Sequence, residues 1–343
     1  KLEGERDKAT GEGTKQTKQS LIEVKKQEIA SIKAIEPENA IDEKDDVSLP
    51  GYMLLIDEPE IALHPNGIRA ASKYLYELAN DSSWQIMLTT HSPLFINPFE
   101  DHTTIVRLSR STGNPTPKTY RSDEVKFSED ETENLKLLNS FDQNLSEMFF
   151  GQYPIIVEGD TEYASFSYIM QSDETKYEIN AKPIIVRARG KYTIIPLIKM
   201  LSHFKVNFSV LHDSDYPKNK KNFVNNAWTA NQEIYSAIQS VRAKGIYVIH
   251  RISISTFEAA HCPVEIDENG NYLSSSSKDK PWLMYKMVKE NKDIKKSVEA
   301  LLDELIFVEG QEEPYAKTFN EGLNEVFNQW VEEKGIKDSR FII

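Results

Sequence analysis

The chain has one cysteine, Cys262, in 343 residues, which excludes an internal disulfide framework and fits a reducing cytoplasm. No apolar run approaches the ~18 residues that a membrane span needs, so no membrane partner is expected. A basic-then-apolar secretory leader is also missing. Positive charge is short: 41 Lys and Arg stand against 54 Asp and Glu, a net charge of −13. That balance argues against a generally basic surface that coats nucleic acid. It leaves room for an enzyme on DNA whose acidic residues gather around metal ions. The phosphate-cradling pattern G-x-x-x-x-G-K-[ST] is absent as well. The one Gly-Lys pair, Gly190-Lys191, is followed by Tyr192 and has Ile185 where the first glycine should stand.

The length suggests two domains, and 39% hydrophobic with 28% charged residues is the composition of a globular protein. Residues 1–50 are polar, with a helix expected near Thr17–Lys26 and a charged, solvated insertion over about 25–48. "YMLLID" (Tyr52 to Asp57) is bounded by Pro50-Gly51 and Glu58-Pro59 and reads as a short buried strand. Apolar residues at helical spacing follow (Ile68, Ala71, Leu75, Leu78). "WQIMLTTH" is a second buried strand, and the segment around Gly113 reads as a hairpin. Residues 1–122 are assigned to a first domain, 123–150 to an acidic linker helix and 151–343 to a second domain. In that second domain strands ("PIIV", "PIIVRA", "NFSVLHD") alternate with helical stretches, the pattern of a parallel sheet with crossover helices. The last sixty residues read as helices.

Two constellations carry chemistry. A strand ending in Asp57-Glu58 places two carboxylates at the mouth of a parallel sheet. In nucleotide hydrolases the first holds Mg²⁺ and the second polarises the attacking water. "TTHSP" closes the next strand and puts His91 where a γ-phosphate sensor would sit. The second constellation is "VEGDTE", with Glu158 at a strand end and Glu162 one helical turn on, followed about 50 residues later by "HDSD" with Asp213 and Asp215. Alternation sends i and i+2 of a strand to one face, so both aspartates are expected to face one site. Four such carboxylates form a hard-oxygen nest suited to Mg²⁺ or Mn²⁺, too crowded to stay ionised together without a cation.

The first block resembles the ATPase head of the ABC class in the version found in OLD-family (overcoming lysogenisation defect) proteins. "LLIDEPE" matches the Walker B strand, "ALHP" the D-loop and "TTHSP" the switch-histidine loop. "ATGEGTKQ" resembles the signature motif, with Thr10 and Gly11 toward the nucleotide. The resemblance implies ATP with Mg²⁺ as ligand, a homodimer or higher homo-oligomer whose signatures complete each other's sites, and a phosphate loop expected in sequence ahead of Lys1.

The second block resembles a Toprim domain, the α/β fold shared by topoisomerases, primases and OLD nucleases. "VEGDTE" and "DSD" match its acidic motifs, "ISTFEAAH" supplies Glu258 in a strand-end position, and "KDKPW" supplies Lys280. Arg189-Gly190-Lys191 matches the family's middle glycine motif or is a turn with solvated charges. The pairing of both blocks points to the nuclease components of Gabija-type and retron-type antiphage systems. It implies a metal-dependent DNA endonuclease with Glu158, Asp213 and Asp215 on two metals, Glu162 and Glu258 completing the shells, and Lys280 offsetting transition-state charge. ATP would regulate it, in the cytoplasm, alongside an accessory defence protein or a reverse transcriptase with its RNA–DNA hybrid. The alternative is an ATP-dependent DNA clamp or scaffold with a non-catalytic Toprim fold.

Overall fold

A computed structural model describes residues 51–81, 83–110, 115–150, 153–178, 182–273, 279–306 and 319–343. Thr10, Gly11, the helix expected near Thr17–Lys26 and the charged insertion lie outside the described residues. The chain forms two units, the first ending at Phe95 and the second running from Ile96 to Ile343.

In the first unit, β1 (Tyr52–Asp57) pairs in parallel with β2 (Trp84–Thr89), from Tyr52 opposite Trp84 to Asp57 opposite Thr89. A parallel pair needs a crossover, and helix Pro65–Ala79 provides it, capped by His64 with proline in the first turn. The two strands are half-buried, not buried as their apolar sequences suggest. Their pleat turns Leu54, Ile56 and Ile86 inward, while Met53, Leu55 and Met87 are 62%, 65% and 64% exposed on the opposite face. Among the described residues the crossover helix covers one face only, so alternation decides burial.

In the second unit, β3 (Thr104–Arg110) and β4 (Pro115–Arg121) form the expected antiparallel hairpin. The sequence reading assigned it to the first domain, but it packs within the second unit. Tyr120 is fully buried, stacks on Phe204 with ring centroids 4.9 Å apart, and donates its hydroxyl to the Pro98 carbonyl. Helix Glu129–Phe141 follows, opened by a capping box between Ser128 and Glu131.

Four parallel strands form the central sheet in the order β6-β5-β7-β8. They are β5 (Pro154–Val157), β6 (Ile184–Arg187), β7 (Phe208–Asp213) and β8 (Val248–Ser253). Helices Asp160–Ser172, Ile194–His203 and Asn226–Arg242 make the crossovers. The central strands are buried on both faces, β5 as a continuous apolar run and β7 with Ser209 and His212 among its buried residues, as a sheet covered on two sides requires. Leu197, Leu201, Ile234 and Ile238 fill one face. Phe166, Ile169, Met284, Val288, Val298 and Leu302 fill the other, the last four from helices Lys280–Glu290 and Lys292–Leu305. The chain leaves β5 for β6 on one side and returns to β7 on the other. Such a reversal opens a crevice at the carboxyl ends of the strands, and the acidic motifs end β5 and β7.

Candidate functional site

In the first unit, Asp57 closes β1 and accepts a short hydrogen bond from the Thr89 hydroxyl at the end of β2. Glu58 lies just past the strand in a left-handed backbone conformation, φ 44°, with its N–H held by the Thr89 carbonyl at 3.1 Å. Its carboxylate oxygen Oε1 stands 3.5 Å from His91 Nε2. The structure therefore brings Asp57, Glu58 and His91 together. Glu60, which sequence reasoning passed over, organises this corner. Its carboxylate accepts from the His91 N–H at 2.6 Å and from the Thr90 hydroxyl at 2.9 Å. Burial works to raise the Glu60 pKa, but those hydrogen bonds outweigh it and the net shift is downward. Its spacing two residues after Asp-Glu was the available signal.

In the second unit, Glu158 follows β5 and its Oε2 accepts from the Asp213 N–H at 3.1 Å, tying the ends of β5 and β7. Glu162 is 4% exposed in the first turn of helix Asp160–Ser172 and accepts from the Gly159 N–H at 3.2 Å. Asp213 ends β7 with a buried Oδ1 that has no hydrogen-bond partner. Asp215 lies beyond the strand. It reaches the site through a left-handed residue, φ 62°, whose N–H is held by the Ser255 carbonyl at 2.9 Å, and not through the strand alternation expected. Glu258 is likewise not at a strand end. It sits in the first turn of the short helix Phe257–His261 after β8, where the Thr256 side chain caps the turn. There it accepts from the Thr161 hydroxyl at 3.3 Å and pairs with Lys280 Nζ at 3.4 Å. Lys280 opens helix Lys280–Glu290.

The electrostatics follow from this crowding. Desolvation raises Glu162 to about 7, with repulsion from Glu158 and Glu258 adding to it. Desolvation also raises Glu158, and the carboxylates of Asp215 and Glu258 add to the shift while Lys191 opposes it. Asp213 is pushed well above the carboxylate range by burial and then by Glu162, Glu158, Glu258 and Asp215. All five carboxylates thus share one field, although among the described residues no three acidic, His or Cys side chains stand already closed into a metal-ligating set. The all-oxygen donors, the partnerless Asp213 Oδ1 and the raised pKa values suit a hard divalent cation.

Arg189-Gly190-Lys191 is not a solvated turn. Arg189 and Gly190 both have positive φ (53° and 132°), and the Gly190 N–H is held by the Glu158 carbonyl at 3.0 Å. Lys191 is 4% exposed, and its Nζ donates to Asp215 Oδ2 and to the Asp213 carbonyl, each at 2.6 Å. Asp160, inside the acidic motif, turns away to Arg187 and Arg189 at 3.2 and 3.5 Å. No helix among the described residues is long and apolar enough to cross a membrane.

Comparison with known proteins agrees with this division. A family profile described as an AAA ATPase domain matches residues 34–96. Another, the Toprim domain of overcoming lysogenization defect protein-like proteins, matches residues 149–215. The OLD nuclease of Thermus scotoductus is 30% identical over 166 residues, covering 47% of this chain and 30% of the relative. The Old nuclease of Escherichia phage P2 is 25% identical over 168 residues, covering 49% of this chain and 28% of that relative. The matched part therefore spans less than a third of either nuclease.

Proposed function

The chain is an OLD-family ATPase–Toprim protein, and from that premise we propose that it acts as a divalent-metal-dependent DNA endonuclease governed by its ATPase unit. The observation that carries the reading is the meeting of Glu158, Glu162, Asp213, Asp215 and Glu258 at the carboxyl ends of β5, β7 and β8, with Asp213 Oδ1 buried and unpartnered. Glu158, Asp213 and Asp215 would hold Mg²⁺ or Mn²⁺, with Glu162 and Glu258 completing the shells. Bound there, the ions would supply water activation and stabilisation of the leaving 3′ oxygen of a phosphodiester. Lys280, placed by its pairing with Glu258, would offset negative charge developing on the scissile phosphate.

Asp57 and Glu58, with His91 beside them, would serve a Mg²⁺–ATP site completed across a homo-oligomer by Thr10 and Gly11 of the signature. ATP then acts as a conformational input to cleavage. Antiphage defence in the cytoplasm, with an accessory protein or a reverse transcriptase and its RNA–DNA hybrid, is the setting this reading extends to. A DNA clamp with an inert Toprim fold would have no use for an intact acidic set at a strand-end crevice, so the nuclease reading is favoured.

The test is nicking of supercoiled plasmid in Mg²⁺ or Mn²⁺ against EDTA. Cleavage that needs the metal and disappears in Glu158→Ala and Asp213→Ala supports the assignment. Full nicking by both folded variants would sink it.

A further inference from the structure

Lys191 is the residue whose placement the nuclease reading leaves unexplained. Its stem is buried at the end of β6, on a loop bent by two positive-φ residues and anchored to the Glu158 carbonyl. Its ammonium is coordinated by one carboxylate oxygen of Asp215 and the main-chain oxygen of Asp213, both at 2.6 Å. A cation with two oxygen partners inside an acidic nest occupies the kind of seat an ion would take.

Charge counting shows what this does. Five carboxylates against Lys191 and Lys280 leave the ionised nest at about three negative charges. Two divalent ions would turn that into about one positive charge, which one phosphodiester neutralises. Without Lys191 the loaded nest would be neutral before the phosphodiester arrived, and the incoming negative charge would have no counterpart. A second role, restraint of the Asp215 side chain, is also open to Lys191. The two roles predict opposite changes in metal affinity on removal of the charge. Repulsion between a unit charge and a divalent ion a few ångström away in a partly buried site exceeds the net worth of one hydrogen bond, so the charge effect decides the sign.

We propose that Lys191 is a tethered counter-cation of the carboxylate nest. It acts through Asp215 to hold divalent-metal affinity down and to leave the loaded site with the charge that a phosphodiester needs. The inference rests on the metal-nuclease reading. It assigns Lys191 as a positioning residue that touches neither metal nor substrate.

The experiment is calorimetric titration of the whole chain with MnCl₂, for the native protein, Lys191→Met and Lys191→Gln, with circular dichroism to confirm folding. Lys191→Gln removes the charge but keeps a hydrogen-bond donor, on a side chain one atom shorter. Both variants should bind Mn²⁺ about tenfold or more tighter, while KM for plasmid rises at saturating Mn²⁺. Unchanged or weaker Mn²⁺ binding in the folded variants would overturn the proposal and leave the nuclease reading standing. A native chain that takes up no Mn²⁺ would overturn both. Failure of Lys191→Gln to fold would also overturn it, because the ammonium would then be a structural tie.

Discussion

His212 Nε2 and His250 Nε2 face each other at 2.9 Å between β7 and β8, with both rings fully buried. The pair has one consistent protonation. His212 Nδ1 is 2.9 Å from the Asp213 carbonyl, which can only accept, so that nitrogen carries hydrogen and Nε2 is bare. His250 Nε2–H therefore donates, leaving His250 Nδ1 as the partnerless acceptor that is found. A further proton on His212 would set two N–H groups head to head.

The pair sets an acid limit on stability. Burial first, then Arg242 and Arg251, holds His250 down at about 3, and burial with Lys191 and His250 holds His212 well below its ordinary value. A histidine with a depressed folded pKa stabilises fully above its unfolded value near 6.5, and that contribution is lost as pH falls toward the folded value. Lowering the pH from 7 to 4.5 should therefore cost the native chain more urea stability than it costs His250→Phe, read as a difference in the slope of the midpoint against pH. An unchanged slope in that variant would remove the pair from the explanation.

The acidic nest works in the opposite direction. Glu162 is raised to about 7 by desolvation and by its acidic neighbours, so the metal-free fold is favoured while it stays protonated. That advantage is lost as pH rises from the unfolded value through about 7. Mn²⁺ binding near pH 6.5 should release protons, seen as a dependence of the calorimetric enthalpy on the buffer's ionisation heat. Glu162→Gln should release fewer. Buffer-independent enthalpies in the native chain would contradict this.

Lys280 and Lys286 lie on the same helix, but Lys280 is the one paired with Glu258. Lys280→Met should lower cleavage by a factor on the order of 10²–10³, the range for losing one electrostatic stabiliser, with Mn²⁺ affinity unchanged or slightly higher. Lys286→Met should cost only a weaker, salt-dependent grip on DNA. Equal, mild losses at both positions would return Lys280 to an ordinary surface lysine.

Arg187 meets the buried Asp142 at 2.7 Å, lies over the Tyr163 ring at 4.3 Å, and pairs with Asp160 at 3.2 Å. Asp142→Ala strips one partner while Asp160 remains. The expected loss is about 1–3 kcal/mol, the cost of leaving a buried polar group unmatched, read as a lower thermal midpoint. No change would mean that Asp160 alone satisfies the guanidinium.

In the first unit, Glu60→Gln should loosen the corner that carries His91, because a neutral amide replaces the carboxylate that accepts from both His91 and Thr90. Faster deuterium exchange at the His91 amide would report it. An unchanged rate would show that the strand ends alone hold the loop.

What the sequence determined by itself was local. A strand is recognisable from a few apolar residues between turn signals, and a carboxylate just after it must lie at the sheet's carboxyl edge. Asp57, Glu58, Glu158 and Asp213 were legible for that reason, as were the parallel sheet and its crossover helices. Burial, partners and charge balance depended on elements distant in sequence. The order β6-β5-β7-β8 brings the loop after β6 to the ends of the central strands, so Lys191 is buried against Asp215 although its tripeptide looks like a surface turn. The same order puts β7 beside β8, so that His212 meets His250 on the diagonal, 38 residues away in sequence. Pleat and covering helix, not composition, left half of β1 and β2 exposed. Turns at Asp215 and after β8 aimed Asp215 and Glu258 into the nest, because a side chain's direction past a strand end is set by backbone contacts that a linear pattern does not contain.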